Sequence, residues 1–115
     1  MKRGEIWTVA GGAAYAGKPR PAVIVQDDRF DANDSIVVCP LTTDPTQAPI
    51  FRLSIQPGAQ SGLGAPCRMM VDKLTAVPRS RLGRLVGSLA SEEVKALNRA
   101  IFVFLALAKT ETSQD

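Results

Sequence analysis

The sequence predicts a mainly β domain, a small and strongly bent sheet or barrel finished by one C-terminal α-helix. Three features carry that prediction. Short apolar runs rich in β-branched residues recur along the chain, glycine- and proline-rich connections separate them, and helical periodicity is absent until about residue 91. With 115 residues and 45% apolar content, the chain has enough material for one domain with an adequate core and too little for a second.

Taken in order, Glu5 to Val9 reads as a strand and Gly11 to Arg20 as a mobile loop. Ala22 to Gln26 is short, apolar and β-branched, the pattern of a buried strand. Ser35 to Cys39 repeats that pattern, and Pro40 marks an edge or a strand end. Phe51 to Ile55, Cys67 to Val71 and Leu82 to Val86 complete the strands. The connections Thr46 to Pro49 and Gln56 to Gly64 carry turn residues and no strand pattern, so they are expected to loop over the barrel mouth. Ser91 is a suitable N-cap, with Glu92 and Glu93 at the positive end of the helix dipole. The helix is expected to run to about Ala108, packing Val94, Leu97, Ile101, Phe104 and Leu105 on the sheet and turning Lys95, Asn98 and Arg99 outward. Residues 1–109 form the expected domain, and the polar tail 110–115 is expected to fray.

Two segments carry chemistry. In Gly17-Lys-Pro-Arg-Pro-Ala-Val-Ile-Val-Gln26, prolines 19 and 21 bracket Arg20 and push it and Lys18 toward extended backbone. A guanidinium mounted this way suits a phosphate, because its planar fork makes paired charge-assisted hydrogen bonds and keeps its proton near neutral pH. The same residue serves equally well as a surface arginine paired with Asp27 or Asp28. In Pro40-Leu-Thr-Thr43, followed by Asp44-Pro45, the threonines either close a turn through side-chain to backbone hydrogen bonds or place a hydroxyl beside a phosphate.

The chain carries 14 Lys and Arg against 11 Asp and Glu, for a net charge of +3. Their arrangement matters more than the sum. Arg68, Lys73, Arg79, Arg81 and Arg84 cluster late, and with Lys18 and Arg20 they are candidates for the floor of a nucleic-acid groove, or simply a solvated basic face. Aromatic residues for stacking on bases are few, and Tyr15, in a Gly/Ala loop away from any core, is the best candidate. There is no histidine. Cys39 and Cys67 lack the spacing and partners of a zinc site and read as buried thiols. With no signal peptide, membrane-length apolar stretch or lipidation motif in the sequence, a reduced cytoplasmic protein is expected.

The opening Met1-Lys-Arg-Gly-Glu-Ile-Trp7, then Lys18-Pro-Arg-Pro-Ala-Val23, then Val38-Cys-Pro-Leu-Thr-Thr43, resembles the MazF/PemK/Kid toxin endoribonucleases. Met69-Met-Val-Asp-Lys-Leu-Thr-Ala-Val-Pro78, running into a short helical turn over Pro78 to Leu82, is similar to the third signature of that family. The likeness spans about residues 1 to 108. One loop departs from it: many relatives have Gly-x-Glu-Gln-Gly-Gly-x-Arg-Pro, whereas this chain has Gly11-Gly-Ala-Ala-Tyr-Ala-Gly-Lys-Pro-Arg20-Pro, so Tyr15 and Lys18 are expected to make different substrate contacts.

The resemblance implies a mainly β, SH3-like small barrel of the PemK/CcdB type with a C-terminal helix, assembled as a homodimer. The Cys67 to Val71 strand and the Phe102 to Leu107 helix end are the interface candidates, and each is equally suited to internal core. It implies a type II toxin that cuts single-stranded RNA at a short sequence without a metal or other cofactor, through attack of a 2′-hydroxyl on the adjacent phosphate. It assigns catalysis to Arg20 and Thr42, with Asp72 a possible base or an ion-paired surface residue, while the charge cluster and the loop reading above make Tyr15, Lys18, Thr43, Arg68, Lys73 and Arg79 the RNA-binding candidates. It also implies a cognate antitoxin whose acidic, disordered C-terminal segment covers the basic groove. Two other readings stay open: a CcdB-like poison of DNA gyrase that acts through its C-terminal helix end, and a non-catalytic barrel that binds single strands.

Overall fold

A computed structural model of the chain describes residues 1–11, 18–45 and 51–107. Seven described strands make one antiparallel sheet: β1 (Glu5–Val9), β2 (Arg20–Ile24), β3 (Ser35–Thr42), β4 (Arg52–Ile55), β5 (Cys67–Met70), β6 (Thr75–Pro78) and β7 (Leu82–Ser88), followed by helix α1 (Ser91–Phe104). The spatial order is β4-β5-β3-β2-β1-β7, with β6 also paired to β3. Strand β3 organises the bend, because its first half pairs with β6 from Ser35 to Val38 and its end pairs with β5 at Leu41 and Thr42. Pro40 falls in the gap between these partners, so its missing N–H removes no ladder bond on that side. This is how β3 continues through a proline that was expected to end it.

Strand β2 likewise begins at Arg20, two residues before the expected start. The extended backbone that Pro19 and Pro21 impose is already strand-like, and the ladder with β3 starts only at Ala22↔Pro40. The pairing of β6 was not expected from the sequence. Its four residues are mostly exposed and end in a proline, so only Val77, buried against β3, marks it. A short 3₁₀ turn over Arg79–Arg81 follows, where the helical turn was expected.

Both faces of the central strands are covered, which is why β2 and β3 read as apolar runs without alternation. On one face Ile6, Val23, Cys39, Leu41, Met69 and Val71 pack with Leu97 and Ala100 of α1. On the other, Ala22, Ile24, Ile36, Val38 and Val77 form a second cluster edged by Trp7, Val9 and Leu82. Leu97 is wholly buried, and burial of such a side chain contributes about 1.5–3 kcal/mol. Cys39 and Cys67 are buried and unpaired, as expected, and burial pushes the Cys39 thiol up to about 12. The loop from Gln56 to Gly64 lies along the free edge of β7, where Ser88 N donates to Gln60 O at 2.9 Å and Gln60 Nε2 donates to Leu89 O at 3.0 Å. Contact there is close enough that a Cβ on Gly87 would strike the Ser61 carbonyl, and Gly62 takes the positive φ that turns the loop.

The helix departs from expectation at both ends. Ala90, not Ser91, is the N-cap, and Glu93 Oε1 accepts from Ala90 N at 2.7 Å, supplying half of a capping box one residue early. At the other end, the helix stops at Phe104, before the expected Ala108. Leu107 N donates to Phe102 O at 2.9 Å and Ala106 N to Val103 O at 3.2 Å, which is a Schellman closure with Ala106 at φ 58. Phe104 and Leu105 therefore do not join the sheet core. They are 44% and 49% exposed, and Phe104 meets only the edge of it, at Phe51, with ring centroids 6.1 Å apart.

A partly buried ion pair ties the start of β4 to the turn after β5. Arg52 Nε and Nη2 donate to the two carboxylate oxygens of Asp72 at 2.9 and 3.1 Å. These bonds hold the Asp72 carboxyl below the usual carboxylate range. A depressed folded-state pKa contributes stability in full above the unfolded carboxylate value of about 4, and that contribution is lost as the pH falls through the folded value. Asp72→Asn is thus expected to lower the urea-unfolding free energy by about 1 kcal/mol at pH 7, with wild type and variant converging as the pH falls through the depressed folded-state value. Ala106→Gly is expected to raise it by about 0.5–1 kcal/mol, because glycine removes the left-handed strain and keeps the closure.

Candidate active site

The antiparallel ladder puts the start of β2 and the end of β3 at the same end of the sheet. Continuing the Ala22↔Pro40 register by two residues brings Arg20 opposite Thr42. On its other side Arg20 pairs with Val9, which pairs in turn with Leu82, while Thr42 pairs with Arg68. One row across five strands therefore reads Arg68, Thr42, Arg20, Val9, Leu82. Directly opposed residues present their side chains to the same face, about 5 Å apart.

The middle of that row, Thr42, Arg20 and Val9, lines a cleft of about 330 Å³ over the second apolar cluster. Its floor is Val9, Ala22, Val38 and Val77, and its polar lining is Arg20, Thr42, Thr43, Thr75 and Arg81. Among the described residues no carboxylate lines it. Two guanidiniums and three hydroxyls over an apolar floor make a site for an anion that carries a flat apolar group. Thr42 Oγ1 accepts from Asp44 N at 3.1 Å. The turn-closing bond expected of this segment thus exists, and it leaves the hydroxyl proton of Thr42 free to be donated elsewhere. The acids expected to compete for Arg20 have other partners, since Asp27 pairs with Arg29 at 3.1 Å and Asp28 accepts from Arg3 N at 2.6 Å.

The other sequence-derived candidates scatter. Lys18 is exposed on the segment leading into β2, and Arg68 stands beside Thr42 in the ladder. Lys73 is exposed in the turn after β5, away from the cleft lining. Arg79 donates from Nε to Asn33 O at 3.0 Å and from its backbone to Asp34 O at 2.7 Å, which makes it a brace for the turn before β3. Asp72 does not line the cleft, and both its oxygens are engaged by Arg52. A carboxylate held in this way is a weak proton acceptor. Tyr15 lies outside the described residues. Thr75 and Arg81 line the cleft without having been singled out as site residues. Arg81 was visible only as one of a basic cluster, and Thr75 depends on the pairing of β6, which left too little pattern to be read.

Comparison with known proteins identifies the family. Residues 2–105 match the family model of the PemK-like, MazF-like toxins of type II toxin-antitoxin systems. The chain is 49% identical over 108 residues, 94% of its own length and 99% of the relative's, to a probable endoribonuclease MazF of Mycolicibacterium smegmatis. It is 28% identical over 116 residues, covering 93% of the chain and 98% of the relative, to endoribonuclease MazF9 of Mycobacterium tuberculosis. Among solved structures, a mycobacterial endoribonuclease in complex with its cognate antitoxin shares the fold with a TM-score of 0.77 at 19% identity, over 93% of this chain and 96% of that one. The Mycobacterium tuberculosis toxin MazF-mt6 does so with 0.74 at 23% identity, over 89% and 96%. With a family model spanning nearly the whole chain and a curated relative at about half identity, this protein belongs to the PemK-like, MazF-like toxins of type II toxin-antitoxin systems.

Proposed function

We propose that this toxin is an endoribonuclease that cuts single-stranded RNA in the cleft between the start of β2 and the end of β3. The observation that carries the reading is the convergence of Arg20 and Thr42 on one cleft without a lining carboxylate among the described residues. In the proposed reaction a ribose 2′-hydroxyl gives its proton to water as its oxygen bonds to the adjacent phosphorus, the bond to the 5′-oxygen breaks and that oxygen takes a proton from water, and the products are a 2′,3′-cyclic phosphate and a 5′-hydroxyl. Negative charge builds on the phosphorane oxygens. Arg20 is suited to hold that charge, and Thr42, whose oxygen already accepts from Asp44 N, is suited to donate its proton to a non-bridging oxygen. Asp72 is not assigned the role of base, because Arg52 keeps it ionised and engaged.

Among the described residues no three His, Cys, Asp or Glu side chains come together as metal ligands, and the reaction is written without a metal. Lys18, Thr43 and Arg68 flank the catalytic pair and are assigned to RNA binding. An antitoxin segment that is acidic and disordered when free would complement the same basic cleft, and a relative on this fold is known in complex with its antitoxin. Its place of action is the cytoplasm, where messenger RNA is found; no helix among the described residues is long and apolar enough to cross a membrane. The homodimer is assigned to the helix end, where Phe102, Val103 and Leu107 are 50%, 62% and 63% exposed. The alternative strand Cys67 to Val71 is paired on both sides, and its Cys67, Met69 and Val71 are internal core. Neither gyrase poisoning nor binding without cleavage is favoured by the relatives found.

Incubated with mixed-sequence RNA in EDTA, the wild-type toxin is expected to give discrete cuts by primer extension. Arg20→Ala should lower the rate by about 10²–10³-fold and Thr42→Ala by about 10–100-fold. Absence of cuts by folded wild type would overturn the reading. Phe102→Glu is expected to convert a dimer to a monomer in light scattering, whereas an unchanged mass would place the interface elsewhere.

A further inference from the structure

Arg81 lies in the same cleft as Arg20 but on the opposite side of β1. Arg20 pairs with Val9, and Leu82, the residue after Arg81, pairs with Val9 from the other side. Two strand spacings, about 10 Å, therefore separate β2, which begins at Arg20, from β7, which begins at Leu82 directly after the Arg79–Arg81 turn. Between them the floor is Val9, with Val38 and Val77 beneath the cleft. The backbone of Arg81 is held firmly, because Ala10 N donates to Arg81 O at 2.8 Å. Its side chain is exposed, so no packing has to be broken for it to meet a ligand.

We infer that Arg81 holds the phosphate next to the one held by Arg20, so that the RNA backbone crosses the strands and not along them, with the intervening nucleotide over the Val9 floor. This rests on the proposed endoribonuclease reading and adds a subsite to it. A single anion would use Arg20 and Thr42 alone, since the continued β2–β3 register sets those two opposite each other. A second guanidinium, at the turn into the strand two places away, in a cleft that no acid among the described residues lines, matches a ligand whose negative charges repeat, as the phosphates of a nucleic acid do. The apolar gap between the cations suits the uncharged sugar and base that separate two phosphates. Arg81 is therefore a binding residue whose contact is made equally before and during the cut, and its loss should appear in KM and not in kcat.

The test uses a short RNA containing a cut site mapped with wild-type toxin, and versions in which the phosphate on the 5′ or the 3′ side of the cut is replaced by an uncharged methylphosphonate. Arg81→Ala is expected to raise KM about tenfold with kcat within about twofold, and to reduce the slope of log affinity against log salt by about 0.7. Arg81→Lys should recover most of the salt slope. On one of the two methylphosphonate RNAs, wild type should lose what Arg81→Ala loses on natural RNA, and the variant should lose nothing further. Circular dichroism shows whether the variant is folded. If both neutral substitutions penalise wild type and variant alike, or if Arg81→Ala lowers kcat at unchanged KM, the inference is wrong while the endoribonuclease reading stands. If wild type cuts no RNA, the reading itself fails and this subsite falls with it.

Discussion

Double-sided burial of strand β2 is the constraint on which the site depends. Val23 is wholly buried on the helix side and Ala22 and Ile24 are buried on the other, so the strand cannot slide by one residue without exchanging its two cores. With β2 locked between β1 and β3, the position of Arg20 follows from register alone. The two prolines that flank Arg20 remove most of what freedom remains. The backbone that carries the guanidinium therefore loses little conformational entropy when a phosphate is bound, which is the physical meaning of preorganisation at this site.

A second feature of the charge distribution is that no acid among the described residues lines the cleft, although Asp44 directly follows the lining residue Thr43. Asp72 is the acid nearest in sequence to the cleft lining of β5 and β6, and it is clamped by Arg52. Asp27 and Asp28 are taken by Arg29 and by the Arg3 amide. What remains facing the cleft among the described residues is positive or neutral, and this attracts the same polyanions that the site is suited to hold. The arrangement is economical, since the Arg52–Asp72 pair also ties β4 to the turn after β5.

The parts of this fold that were legible in the sequence are those set by local pattern. The strand from Glu5 to Val9 was read with its true limits, and Arg20 and the threonine pair were singled out from proline bracketing and strand-end position. The parts that were not legible depend on distant partners. Strand β6 has one buried residue, Val77, and is a strand because β3 offers it an edge. Pro40 looked like a terminus because a single sequence does not show that β3 changes partners at that residue. The helix end looked like core because Phe104 and Leu105 keep the helical spacing after the sheet beneath them has ended. Asp72 looked like a candidate base because Arg52, twenty residues earlier, is brought to it only by the β4–β5 pairing.

The proposed meeting place of RNA and protein is one cross-strand row, from Arg68 through Thr42 and Arg20 to Val9. Nuclear magnetic resonance titration of labelled toxin with a single-stranded RNA made uncleavable by 2′-O-methylation at the cut tests it most directly. The largest shifts are expected on the Arg20 side chain and on the amides of Thr42, Thr43, Ala10 and Leu82, with Asp72 and Arg79 nearly unmoved. Shifts centred on the helix end or on the Asp72 turn, with the row silent, would contradict it.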